Sequence, residues 1–143
     1  MNLKYKENTY NLFDHNKYAK RQPKKDFWGQ IKRTVKGKPV SKKQIRIIIS
    51  KISSKLKLNK NDHLLDLGCG NGALTFLLKN KVKKITAVDF SPYLINVAKK
   101  NFKANNINYL RSDMYDFVKK TNSDEYNKVL IYVLKAFQSL KLS

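Results

Sequence analysis

A carboxylate and three glycines share the run Asp66-Leu67-Gly68-Cys69-Gly70-Asn71-Gly72. Glycines at that spacing allow a tight turn and let a ligand approach bare backbone. A helix leaving such a turn offers free amides and a partial positive charge to an anionic group. Asp66 has the wrong sign for a phosphate site. A carboxylate there suits a ligand with an ammonium group, or the task of tying down loop amides. A turn that is glycine-rich for purely structural reasons is the weaker reading, because three glycines and an aspartate stand in register.

Two further acids extend the pattern. Asp89 closes an apolar run 21 positions after Gly68, where a carboxylate can accept both hydroxyls of a ribose. Asp113 could accept from an adenine amino group while neighbouring backbone amides read ring nitrogens. Each has a plain alternative, a strand-end aspartate for Asp89 and a helix cap for Asp113. Together the three positions point to a nucleoside site.

The elements that must position these residues follow from periodicity. Ser41 with Gln44 reads as a capping box that opens a helix over Lys42–Leu56. Ile45, Ile48, Ile49, Ile52 and Leu56 form its buried stripe. HLLDL (63–67) is a strand running into the glycine turn, and Ala73–Lys79 is the helix that leaves it. Ile85–Asp89 is a second strand, and Ser91-Pro92 starts a second helix of this unit. Ile107–Arg111 is a short third strand, followed by a short helix over Met114–Lys119. KVLIYVL (128–134) is a fourth strand, almost continuously apolar as a central parallel strand would be. This alternation implies a parallel sheet with right-handed crossovers. Ligands of such sheets bind beyond the carboxyl ends of the strands, where all three acids fall. Residues 1–40 read as a polar, irregular segment in which Phe13, Tyr18, Phe27 and Trp28 stand among lysines.

The 143 residues suit one domain of about 150. Apolar residues at 41% argue against a disordered chain. No apolar run is long enough to cross a membrane, no secretory signal opens the sequence, and one cysteine excludes an internal disulfide. A cytoplasmic domain is expected. The net charge of +21 invites a nucleic-acid reading. However, lysines outnumber arginines 27 to 4, asparagines number 15, and the lysines are scattered along the chain. That distribution fits a lysine- and asparagine-biased coding background better, although such charge attracts polyanions at low salt.

HLLDLGCGNGALT (63–75), ITAVDFSPYLINVAKKN (85–101) and YLRSDMYDF (109–117), in that order and spacing, resemble class I S-adenosylmethionine-dependent methyltransferases over about residues 41–134. The resemblance implies an α/β, Rossmann-like three-layer sandwich with a mostly parallel sheet. It implies S-adenosylmethionine as cofactor, with Asp66, Gly68, Gly70 and Gly72 at its methionine end. Asp89 would take the ribose hydroxyls, Phe90 would flank the adenine, and Asp113 with Met114 would read the adenine edge. A nicotinamide dehydrogenase is the nearest competitor, but it expects G-x-G-x-x-G where this loop reads G-x-G-x-G.

Methyl transfer from a sulfonium is an in-line displacement that depends mainly on alignment. No catalytic side chain or metal site is assigned. His15, beside Asp14 and near Tyr18 and Trp28, is better read as a surface histidine among lysines, and Cys69 as a packed thiol. Related enzymes use the N-terminal segment to cover the acceptor, so residues 1–40 are expected to form a cover and 41–143 the cofactor domain. Tyr132-Val133-Leu134-Lys135 lacks the asparagine or aspartate and two prolines of enzymes acting on amide or base nitrogens. With no cysteine beyond position 69, cytosine-C5 chemistry also loses support.

The resembling fold has seven strands, whereas four are read here. The expected architecture is therefore the N-terminal half of the sheet, C-terminally truncated. The expected function is methyl transfer to a small-molecule acceptor. RNA is the alternative acceptor, and a non-catalytic basic module that needs a partner chain is the alternative class.

Overall fold

The computed structural model describes residues 15–131 of the chain. Phe13, Asp14, the stretch 132–135 and everything beyond it lie outside the described residues. Helices α1 (His15–Arg21) and α2 (Phe27–Gln30) lead into a small hairpin of β1 (Thr34–Val35) and β2 (Lys38–Pro39). Then come α3 (Lys42–Lys55), β3 (His63–Leu67), α4 (Ala73–Leu78), β4 (Lys84–Asp89) and α5 (Pro92–Asn101). The described part ends with β5 (Ile107–Arg111), α6 (Met114–Lys120), a 3-10 turn (Ser123–Glu125) and β6 (Lys128–Ile131).

The local signals act as expected. Ser41 Oγ accepts from the Gln44 amide at 3.2 Å, and Gln44 Oε1 accepts from the Ser41 amide at 2.8 Å, closing the capping box. Ser91 Oγ caps α5 by accepting from the Leu94 amide, with Pro92 in the first turn. The sheet is parallel throughout, in the order β5-β4-β3-β6. The chain winds outward from β3 through β4 to β5, then returns to place β6 on the other side of β3. That reversal opens a crevice at the carboxyl ends of the strands.

Alternation along the strands divides the core. Leu64, Ile85, Ala87 and Tyr109 face α3, α4 and α5, where Ile52, Leu74, Leu78, Ile95 and Ala98 complete the main cluster. Leu65, Leu67 and Val88 face the other way, toward Phe117 and Tyr126. Almost every described lysine is exposed, Lys79 and Lys128 being half-buried, so the charge lies on solvated faces.

Two expectations change. The N-terminal segment is not irregular over its described part, because it is folded onto the sheet domain. Ala19 of α1 is fully buried, and Asn16 Oδ1 accepts from Ser91 Oγ at 2.8 Å. Phe27 packs edge-on against Phe102 with ring centroids 4.9 Å apart. The buried Asn71 donates from Nδ2 to the Phe27 carbonyl at 2.7 Å and to Gln30 Oε1 at 3.0 Å. Asn71→Ala is expected to destabilise the fold by about 1–2 kcal/mol in denaturant titrations, because the buried Gln30 Oε1 and the part-buried Phe27 carbonyl lose their donor. The second change concerns β6, which is an edge strand among the described residues rather than a central one. Its Val129 and Ile131 are exposed, so its apolar run does not report burial on both faces.

Candidate cofactor and acceptor site

A cavity of about 410 Å³ opens at the carboxyl ends of β3, β4 and β5. Gly68, Gly70, Asp89, Phe90, Asp113 and Met114 all line it. Three successive strand ends therefore bring six of the eight residues singled out in the sequence to one space. Phe90 and Met114 stay exposed within it, so apolar surface is available to a planar ring.

Asp89 organises the floor. Its Oδ2 accepts from the Gly70 amide and its Oδ1 from the Ser91 amide, each at 2.9 Å. Burial pushes its carboxyl above the ordinary value, against the opposing pull of those amides and of His15. The tie to a loop amide thus comes from Asp89. Gly68 and Gly70 both have positive φ, 80° and 58°, as the tight turn requires. At Gly70 a Cβ would also stand 2.8 Å from the Ile31 side chain.

Asp66 and Gly72 are not in the cavity wall. Asp66 lies on the α4 side of the sheet, where its Oδ2 accepts from Thr75 Oγ1 at 2.7 Å while its buried Oδ1 has no hydrogen-bond partner. Burial pushes this carboxyl up to about 7, with the Thr75 hydroxyl pulling it down and Asp89 adding to the rise. A raised native pKa means that the fold holds a proton the unfolded chain has already released. The resulting stability is complete below the ordinary value of 3.8 and is lost as pH rises through about 7. Melting temperature should therefore fall between pH 4 and pH 8, and Asp66→Asn should flatten that fall. A wild-type profile as flat as the variant's would refute the assignment.

Asp113 caps α6, its Oδ1 accepting from the amides of Tyr115 and Asp116 at 2.8 and 3.1 Å, and it lines the cavity as well. His15, read from the sequence as a surface histidine, is half-buried in the cavity wall. Cys69 is a buried thiol whose pKa burial drives well above its ordinary value, which leaves it a poor nucleophile. His63 stands at the start of β3, with Nε2 2.9 Å from Thr86 Oγ1, and has no place in the cavity. No group of three or more metal-ligating side chains occurs among the described residues.

Sequence reading missed part of the lining: Ile31, Val35 and Val40 of the hairpin region and Ile47, Ile48 and Lys51 of α3 also line the cavity. One signal was available: Ile47 lies off the buried stripe of α3, next to Arg46, where a polar residue would be expected.

Residues 64–141, more than half of the chain, match the family described as "Methyltransferase domain". A "Probable cobalt-precorrin-6B C(15)-methyltransferase (decarboxylating)" of Methanocaldococcus jannaschii is 33% identical over 98 residues, covering 66% of this chain and 50% of that protein. Ribosomal RNA small subunit methyltransferase A of Fusobacterium nucleatum is 44% identical over 55 residues, covering 38% of this chain and 21% of that protein. The chain thus spans about half the length of the first of these relatives and less of the second. Among solved structures, an RNA methyltransferase from Salinibacter ruber in complex with S-adenosyl-L-homocysteine superposes with a TM-score of 0.54 at 20% identity, covering 69% of this chain and 63% of that one. A precorrin 8W decarboxylase from Methanobacterium thermoautotrophicum gives 0.53 at 22% identity, covering 65% of this chain and 49% of that one. The two superpositions speak for the fold. With the parallel sheet, the glycine turn and the family match together, the chain belongs to the methyltransferase-domain family, the class I S-adenosylmethionine-dependent methyltransferases of Rossmann-like fold.

Proposed function

We propose that the chain binds S-adenosylmethionine in the strand-end cavity and transfers its methyl group to a small-molecule acceptor. The observation that carries this reading is the meeting of Gly68, Gly70, Asp89, Phe90, Asp113 and Met114 in one cavity. Gly68 and Gly70 offer close-approach backbone to the methionine end, while Asp66 and Gly72 shape that turn from behind. Asp89 takes the ribose hydroxyls, Phe90 flanks the adenine, and Asp113 with Met114 meets its edge. When bound, S-adenosylmethionine would supply an activated methyl group, open to in-line displacement by an acceptor lone pair with the sulfur as leaving group.

The chain's own work is alignment and exclusion of water. No side chain is assigned as general base. We take residues 1–40 as the cover of the acceptor end and 41–143 as the cofactor domain. The lone cysteine, kept as a buried thiol, fits the reducing cytoplasm.

Calorimetric titration of S-adenosylhomocysteine into the folded chain tests the reading. Saturable one-to-one binding supports it. No binding overturns it in favour of a non-catalytic basic module that pairs with another chain. RNA is the second acceptor reading, favoured by the net charge of +21 and by the exposure of almost every described lysine. It predicts transfer to RNA that falls steeply with salt.

A further inference from the structure

We infer that Ile31 is a further cofactor-contacting residue: it roofs the glycine turn, so the segment that carries it holds the methionine end of S-adenosylmethionine in addition to covering the acceptor. The inference rests on the proposed function, because it takes the turn as the place of that end.

Ile31 closes the short helix α2. Gly70 has no side chain, and the space that one would fill is taken by Ile31. From a Cβ added to Gly70, the Ile31 Cγ2 would stand 2.8 Å away and its Cβ 3.8 Å away. The Ile31 methyl therefore lies against the bare backbone of the turn. Both residues line the same cavity. A molecule that approaches Gly70 from the cavity meets Ile31 beside it.

Packing shows that this side chain is not committed to the core. Trp28, three residues earlier, packs against the main cluster. Among the described residues, Ile31 joins neither cluster and is only half-buried. Its apolar surface faces the turn and the cavity instead. The methylenes between the sulfur and the amino-acid group are the apolar part of the cofactor's methionine end. A branched aliphatic wall gives them a surface to cover, and water leaves both.

The position of Ile31 is fixed by ties from distant residues, since α2 has only four residues. Asn71 of the turn donates to the Phe27 carbonyl and to Gln30 Oε1. The buried Gln30 donates in turn from Nε2 to the carbonyls of Pro23 and Lys24, at 3.3 and 3.2 Å. At the other end of the segment, Asn16 accepts from the Ser91 hydroxyl, and the Ser91 amide is one of the two that brace Asp89. The segment is thus tied to both loops that carry cofactor residues, the turn with Gly68 and Gly70 and the strand end with Asp89. Ile31 is held against the turn before any ligand arrives, which lowers the ordering cost of binding.

The test compares two ligands on the full chain. One is S-adenosylhomocysteine, read by calorimetry. The other is methylthioadenosine, which keeps the nucleoside and the sulfur but lacks the amino-acid end, read by its displacement of the first. Ile31→Ala removes three carbons from a half-buried surface and should weaken S-adenosylhomocysteine about fivefold while leaving methylthioadenosine unchanged. Ile31→Val should fall between wild type and alanine, and it gives the same direction of change should the alanine chain fail to fold. Asp89→Ala should weaken both ligands, because the ribose is common to them.

Unchanged S-adenosylhomocysteine affinity in a folded Ile31→Ala chain overturns the inference and leaves Ile31 to the acceptor. An equal loss for both ligands overturns it too, because the residue then acts through the fold. If methylthioadenosine displaces nothing from the wild type, the series isoleucine, valine, alanine decides: a graded loss of S-adenosylhomocysteine affinity supports the contact, and a flat series refutes it. If the wild-type chain itself fails to bind S-adenosylhomocysteine, the proposed function falls. Wild-type binding with an indifferent Ile31→Ala removes the inference alone.

Discussion

Asp89→Ala should weaken S-adenosylhomocysteine binding by about tenfold or more, equivalent to the 1.5–3 kcal/mol of a hydrogen bond to a charged group. An ionised carboxylate has about four lone-pair sites. In Asp89, the amides of Gly70 and Ser91 use one site on each oxygen. The remaining sites are what a ribose would engage from the cavity. Alanine removes those acceptors and also releases Gly70, so the turn loses its brace at the same time. Asp89→Asn separates the two effects, because it keeps one acceptor oxygen and discards the charge. Its loss should fall between wild type and alanine. Unchanged affinity in a folded Asp89→Ala chain would remove the ribose role altogether.

Gly72→Ala should destabilise the chain by about 2–4 kcal/mol in denaturant titrations. Gly72 has a φ of +78°, and an added Cβ would stand 2.7, 2.8 and 2.9 Å from Oη, Cε1 and Cζ of Tyr109. Tyr109 cannot easily retreat. It is buried in the main cluster, and its hydroxyl donates to the Phe102 carbonyl at 2.9 Å. Gly37→Ala is the matched control, since its φ is +75° but nothing lies within 4 Å of the added carbon. It should show only the backbone component, about 1 kcal/mol. If the two variants lose equal stability, the contact with Tyr109 has no weight.

The strands and the three site acids were legible because their signals are local. Periodicity gave His63–Leu67 and Ile107–Arg111 with the bounds observed, and Ser41 with Gln44 marked a helix start that the hydrogen bonds reproduce. The first two helices and the hairpin were not legible, for physical reasons. Strands of two residues show no alternation, a four-residue helix shows no stripe, and the hairpin turn places Lys36 where asparagine or glycine is the usual cue. These elements exist through contacts with distant residues such as Phe102 and Asn71, which no local window contains.

The site divides in the same way. The residue types at 66, 70, 72, 89 and 113 were readable, but the direction each faces was not. Asp66 and Asp89 both point to the α4–α5 side of the sheet, yet only Asp89 reaches the cavity, because Asp66 is level with Ala87, two residues deeper in the sheet. Gly72 was read as a ligand-facing glycine, but its neighbour is the Tyr109 ring.

The side-chain amide of Asn71 has a consequence for the order of events. It belongs to the glycine turn, yet it holds backbone and side chain of a segment 41 to 44 positions earlier. The hairpin wall is thus moored to the turn that meets the first ligand as well as packed on the sheet. A ligand that steadies the turn is expected to steady this segment through those hydrogen bonds, so hydrogen exchange at residues 27–35 should slow when S-adenosylhomocysteine binds.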